Sequence, residues 1–424
     1  MTRPAALPAS RPARPGGPET GARPPRVGVL GDGQLARMMA PAAAELDVEL
    51  HLLAGSAQAS AAQVIARTTI GDHRSVEDVL AFAAAVDVIT FDHEHVPDDV
   101  LAALAGASVP MHPGPQALVH AQDKLSMRRA VERLGLPNPR WAAVSEVEEL
   151  IAFGEEAGWP VVLKTPRGGY DGKGVRIVDD AASADEAADW FSRAATQGTP
   201  LLAEEKVPYS RELSAQVARS ASGEVRVYPV VESLQTDGVC DVVTAPAPVA
   251  PGDHEGTARL REAAEIAATL AEELDVTGML AVELFEIADG ERAGVHVNEL
   301  AMRPHNSGHW SMDGAVTGQF EQHLRAVLGL PLGATDPIAG PGSTTVMKNI
   351  LGGSADDLHA GAVEAMRAAP AAKIHLYGKE PRPGRKVGHV TVVDPAGEAG
   401  ADVAATRRTA EQTARRIAEG TESR

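Results

Sequence analysis

Cysteine is nearly absent: among 424 residues there is one, Cys240. An intrachain disulfide is therefore impossible, a cysteine-rich metal site is excluded, and a reducing cytoplasm is the expected compartment. Long apolar runs are missing too. No window approaches the roughly eighteen uninterrupted apolar residues of a membrane-spanning helix, so no membrane association is expected. Positive charge is scarce, with 39 Lys and Arg against 58 Asp and Glu and a net charge of −19. A surface that acidic repels nucleic acid and anionic membrane, so neither is an expected partner. If such a chain binds an anionic nucleotide, it must gather its cations in a local cleft. Two common nucleotide signatures are lacking as well. There is no G-x-x-x-x-G-K-[ST] loop. The turn VGVLGDGQLAR (27–37) carries Ala36 at the third fingerprint position, and HLLAG closes the following strand without the acid that a dinucleotide site needs.

What remains is a chain with 44% hydrophobic residues, long enough for about three structural units. Residues 1–25 hold Pro, Ala, Arg and Gly without the apolar run of a signal peptide, and are expected to be a disordered tail. RVGVLG, VELHLLA and VDVITFD are β-rich runs separated by helical stretches, which implies a doubly wound parallel sheet over residues 26–137. After the linker LPNPR, residues 138–208 read as a small α+β lid. Residues 209–333 form a larger mixed unit, in which TARLREAAEIAATLAEEL (257–274) is the clearest amphipathic helix. Residues 334–397 make a β-rich piece ending in KVGHVTVV, and 398–424 read as an Ala-rich polar tail, at most a frayed helix.

Several segments carry chemistry. In the 27–37 turn, a helix N-terminus after a glycine loop offers backbone N–H groups to an anion. FDHEHVP (91–97) ends a strand, where ligands bind in open α/β sheets. Two histidines two apart are common by chance, so His93 and His95 are not assigned a metal. VVLKTPRGGYDGKGV (161–175) sets Lys164 at the end of an apolar strand and follows it with Gly168, Gly169, Gly172 and Gly174. Successive N–H groups of such a loop form an anion nest, and the lysine neutralises phosphate charge. LAEEKVPYSRELS (202–214) is a strand edge able to pair with a base while a carboxylate takes ribose hydroxyls.

GMLAVELFEI (278–287) and GVHVNELAMRPHNSGHW (294–310) are the most specific. Strand alternation puts Glu283 and Glu299 on the core side of a hairpin. Two inward carboxylates repel and desolvate badly, and a divalent cation such as Mg2+, shared with substrate phosphates, resolves the conflict. In an ideal strand Asn298 points to the other face. RPHNSGH then concentrates donors, with Arg303 suited to a forked phosphate or carboxyphosphate contact. HLYGKEPRPGRKVGHV (375–390) supplies Lys379, Arg382, Arg385 and Lys386, the local basic cluster that the acidic balance calls for.

The order of a glycine turn, QDK (122–124), LKTPRGGYDGKG, EE-x-V, E-L-F and NELAMRPHNSGH resembles the ATP-grasp superfamily over about residues 26–395. GYDGKG, RPHNSGH and YGKEPRPGRKVGH together resemble the N5-carboxyaminoimidazole ribonucleotide synthetases within it. The resemblance implies a mixed α/β and α+β fold: an ATP-grasp core and lid, an N-terminal Rossmann-like pre-ATP-grasp domain and a small C-terminal β-rich piece. It implies a cytoplasmic homodimer that uses ATP and Mg2+ to carboxylate aminoimidazole ribonucleotide with bicarbonate, through carboxyphosphate, in purine biosynthesis. ATP contacts carry over to Lys124, Lys164, the loop Gly169, Tyr170, Asp171, Gly172, Lys173, Gly174 and Val175, the strand Glu204, Glu205, Lys206 and Val207, and Glu212, Gln235, Asn298 and Glu299. Glu283 and Glu299 match the metal ligands. Gly33, Gln34 and Leu35 match the ribonucleotide phosphate turn. Glu94, Arg303, His305, Asn306, Ser307, Lys379, Arg385 and Lys386 match its pocket. Lys164, Tyr170, Asp171, Arg303 and His305 are the expected catalytic groups. Met302, His93 and Gln235 depart from the family pattern. The competing readings are another ATP-grasp ligase, such as a formate-dependent glycinamide ribonucleotide transformylase, and a nucleotide-binding module without catalysis.

Overall fold

Val27, Val29 and Leu30 are fully buried, as a strand covered on both faces requires. They belong to Arg26–Leu30, which lies between Glu49–Ala54 and Val88–Phe91 in a parallel four-stranded sheet, with Arg67–Ile70 at the edge. The order reverses between Arg26–Leu30 and Val88–Phe91. The two turns leaving those strands, 31–33 and 92–97, therefore flank the crevice where open α/β sheets bind ligands. In this computed structural model the described residues are 23–169, 174–236, 238–396 and 400–420.

The second unit is an antiparallel sheet in the order Trp141–Val144, Leu201–Glu205, Val161–Lys164, Val175–Val178. Val147–Ala157 and Ala188–Gln197 pack against it through Leu150, Phe191 and Ala194. The second of these helices is preceded by a 3-10 turn, Ala181–Ala187, whose Asp180 and Ser183 form a reciprocal cap.

The third sheet has nine strands. Its path runs Gly294–Ala301, Gly278–Ile287, Arg211–Arg219, Val231–Thr236, Val239–Ala245, Thr344–Leu351, Lys386–Asp394, Lys373–Leu376, with Val225–Val227 paired to Arg211–Arg219. His254–Glu273 covers part of it with Ala263, Ile266, Ala267 and Leu270, the stripe that the 3.6-residue period marks. The β-rich piece of 334–397 is thus continuous with the preceding unit through Val239–Ala245 and Thr344–Leu351. Residues 400–420 are more than a frayed polar tail. Val403–Glu419 is a helix capped by Asp402, and Ala410, Ala414 and Ile417 are buried against Val346, Ile350 and Val390. No helix among the described residues is long and apolar enough to cross a membrane.

Candidate active site

The hairpin register sets Glu283 opposite Glu299, and opposed residues project from the same face. On its other side Glu283 pairs with Ser214 of Arg211–Arg219. The register then slips: Leu284 faces Val297, which leaves Asn298 as the extra residue of a β-bulge. A bulge interrupts strict alternation and re-aims a side chain, so Asn298 is released from the position an ideal strand would give it. Burial, with the negative charges of Glu299 and Glu212, pushes the Glu283 carboxyl up to about 8 against the pull of Lys386 and Arg303. Two facing carboxylates, one of them costly to ionise, are an oxygen donor set that fits a hard divalent cation.

Lys124, Lys386 and Arg303 are the cations near this pair. Lys124 Nζ lies 2.9 Å from Glu299 Oε1. Lys164 Nζ lies 2.6 Å from Glu204 Oε2. Glu204 is 3% exposed. Burial raises its pKa, but the charges of Arg128 and Lys164 outweigh that and bring it to about 2. Its carboxylate is therefore committed to two protein cations. Glu205 is equally engaged, by Arg140 at 2.9 Å and by Arg292. Glu212 and Gln235 share a hydrogen bond, and burial raises the Glu212 pKa. Val207 is buried and Lys206 exposed at the end of the same strand edge.

Arg303 donates to Glu94 Oε2 at 2.8 Å. His305 Nε2 lies 3.6 Å from Glu283, and its Nδ1 is 2.8 Å from Ser307 Oγ. Burial, with Arg303 and Lys386, pulls the imidazole down to about 3, so the ring is neutral. Ser307 Oγ meets Ser214 Oγ at 2.8 Å and receives Gln216 Nε2 at 3.0 Å. Asn306 is 8% exposed, and apart from a weak contact with the Cys240 thiol its amide has no hydrogen-bond partner among the described residues. An orphaned buried amide costs free energy unless a ligand satisfies it.

The turn Gly33–Leu35 is joined to the C-terminal piece by Lys379, which donates to Gln34 Oε1. The helix end behind it is partly used internally. Asp92, fully enclosed, accepts from the N–H groups of Gly33 and Ala36, and burial raises its pKa despite them. Lys386 is close enough to Glu283 and His305 to shift both. Arg385, next to it on the chain, is exposed and donates to the Glu380 carbonyl, so the structure does not bring it to the buried part of the site. Gly169, Gly174 and Val175 bound the glycine loop, and Thr165 N–H pairs with the Gly174 carbonyl. Tyr170, Asp171, Gly172 and Lys173 lie outside the described residues.

Two groups escape sequence reasoning. Arg128 has no exposed surface, and Asp92 caps a helix from another strand. The available signals are slight: Arg128 falls on the buried stripe of Lys124–Arg133 with Leu125 and Val131, and Asp92 begins a motif read for its histidines.

Three family models match in chain order: a ribonucleotide synthetase preATP-grasp domain over residues 25–122, an ATP-grasp domain over 129–320, and a phosphoribosylaminoimidazole carboxylase C-terminal domain over 345–402. The chain is 46% identical over 403 residues to the N5-carboxyaminoimidazole ribonucleotide synthase of Mycobacterium tuberculosis, covering 93% of this chain and 88% of that protein. It is 47% identical over 391 residues to the synthase of Corynebacterium ammoniagenes, covering 91% and 90%. The crystal structure of N5-carboxyaminoimidazole synthase from Aspergillus clavatus, in complex with ADP and 5-aminoimidazole ribonucleotide, superposes with a TM-score of 0.79 at 31% identity, covering 93% and 99%.

Proposed function

The chain belongs to the N5-carboxyaminoimidazole ribonucleotide synthase family, and on that premise we propose how its residues divide the work. The activity is that of an ATP-grasp carbon–nitrogen ligase: ATP-dependent carboxylation of 5-aminoimidazole ribonucleotide in purine biosynthesis. Bicarbonate is the carboxyl source. One of its oxygens attacks the γ-phosphorus of ATP, ADP leaves, and carboxyphosphate forms. The exocyclic amine of the ribonucleotide then takes the carboxyl group as phosphate departs.

The first step asks for charge neutralisation and alignment rather than covalent catalysis. Lys164 and Lys124 hold triphosphate oxygens. Glu212 and Gln235 face the sugar, and the 204–207 edge faces the base. Glu283 and Glu299, with Asn298 beside them, would hold Mg2+, which when bound would offset the charge of the phosphates. Arg303, held by Glu94, presents its remaining N–H groups to the carboxylated intermediate. Lys379 with Gln34, and Lys386, take the ribonucleotide, and the Asn306 amide finds its partner there. His305 is too weak a base to hold the amine proton, so it orients by hydrogen bonding. The departing phosphate is the stronger base. A homodimer in the cytoplasm completes the reading.

The observation that carries it is the facing pair Glu283 and Glu299 with Lys124 already on one member. In an assay of phosphate released from ATP, turnover should require both bicarbonate and Mg2+ and rise with aminoimidazole ribonucleotide. Glu299→Gln should lose more than about a hundredfold in turnover while melting normally. Near-normal turnover by that variant removes Glu299 from the site, and release driven by formate instead of bicarbonate changes the substrate.

A further inference from the structure

Arg128 sits where the lid, the core hairpin and the linker meet. It has no exposed surface. Nε donates to Glu204 Oε1 at 2.5 Å, Nη1 to Val297 O at 2.6 Å and Asn138 Oδ1 at 2.9 Å, and Nη2 to Asn298 O at 2.9 Å. Four bonds radiate from one planar, rigid guanidinium to three chain segments. Glu204, held from one side by Arg128, holds Lys164 with its other oxygen at 2.6 Å. The two carbonyls are those of the bulge that sets Asn298 and Glu299. Arg128 itself is spaced one helical turn from Lys124, the cation on Glu299.

We propose that Arg128 is a positioning residue for nucleotide binding: through Glu204 it sets where the Lys164 ammonium stands, and through the 297–298 carbonyls it sets the bulge that presents Asn298 and Glu299. Its action is on the ATP and metal half of the site. The ribonucleotide half, built from Gln34, Arg303 and Lys379, shares none of its bonds. A lysine in its place has a compact ammonium in place of the fork and cannot span the carboxylate and both carbonyls together. The inference rests on Lys164 being a phosphate contact.

Steady-state kinetics on the full chain test it, with melting temperatures alongside. Arg128→Lys should raise the ATP KM about tenfold, and the Mg2+ concentration for half-maximal rate with it, while the ribonucleotide KM stays within about twofold. In a Lys164→Met background, Arg128→Lys should raise the ATP KM by clearly less than its roughly tenfold effect in the parent, since the part acting through Lys164 is not additive with its loss while the part acting through the 297–298 carbonyls remains. Additive effects overturn the proposal. So does an equal rise in both KM values, or a fall in kcat alone that follows the melting temperature, which is what a purely structural arginine gives. Where Arg128→Lys does not fold, Glu204→Gln carries the same test: a rise confined to the ATP KM supports the proposal, and its absence overturns it. A normal ATP KM in Lys164→Met alone defeats the phosphate assignment beneath the proposal, a result separate from the failure of Arg128→Lys beside an impaired Lys164→Met.

Discussion

Glu94 and Arg303 hide opposite charges against each other, and what the pair contributes depends on pH. Burial raises a carboxyl pKa, but the charge and hydrogen bond of Arg303 overcome it and bring Glu94 to about 2 from an ordinary 4.5. A carboxyl depressed by folding stabilises the fold fully above its unfolded pKa and loses that contribution as pH falls through its folded one. The window therefore runs from 4.5 down to about 2. With side chains 19% and 18% exposed, solvent screening trims the pKa difference to on the order of 2 kcal/mol across that window. Glu94→Gln should lack this acid limb, and near neutrality it should be less stable than the parent because Arg303 stays buried without its partner. Denaturant titrations of both proteins between about pH 3 and about pH 7 measure the difference. Curves that fall in parallel would show that the pair is not what titrates. Glu283 has the opposite sign: held up near 8, it is cheapest to keep protonated, and a cation is what lets it ionise.

The helix Gln34–Glu45 depends on a carboxylate that does not belong to it. Gly33 is its N-cap with φ −80°, an ordinary conformation, so nothing in the backbone demands glycine there. Space does: a Cβ on Gly33 would stand 2.5 Å from Asp92 Oδ2. Gly33→Ala should therefore push Asp92 off the N–H groups of Gly33 and Ala36, at a cost of about 1–2 kcal/mol. It should also raise the ribonucleotide KM severalfold, roughly, with the ATP KM unmoved, because Gln34 rides on that first turn. Unchanged melting would mean the cap is dispensable. This helix and the strands beside it are plain in the sequence, since apolar period and glycine turns are local signals. Glu283 and Glu299 are equally plain, being fixed by alternation within one hairpin. Asn298 is not. The bulge inserts one residue without any local mark, and the period-two rule fails there. Arg128, and the ion pairs that occupy the Glu204 carboxylate, are invisible for a different reason. Their partners come from segments far apart in the chain, and Glu204 reads locally as a charged edge able to meet a nucleotide. Only the fold reveals that its carboxylate is already held by two cations. Val403–Glu419 is obscured by composition. Arg407, Arg408, Arg415 and Arg416 dominate it, and the stripe Ala410, Ala414, Ile417 is narrow.

The nine-stranded sheet makes one body of what composition divides into a core and a C-terminal piece. Val242 pairs with Lys348 and Ala245 with Thr345, so ladder bonds cross the supposed boundary. One apolar cluster, including Val242, Val346, Ile350 and Val390, is then roofed by Ala410, Ala414 and Ile417 of the last helix. Removing that roof exposes a contiguous apolar sheet face, which drives association. A chain ending at residue 401 should accordingly aggregate, or melt many degrees lower. The effect should also reach the nucleotide. Arg407 of the helix holds Glu232 at 2.9 Å, and Glu232 lies 3.5 Å from Arg211, the neighbour of Glu212 on its strand. Any soluble fraction of the truncated chain should bind ATP more weakly than the full chain, as titration calorimetry would read. Because the helix touches neither phosphate cations nor the acidic pair, a truncated chain with full thermal stability and unchanged ATP affinity would show that the sheet closes on itself without it.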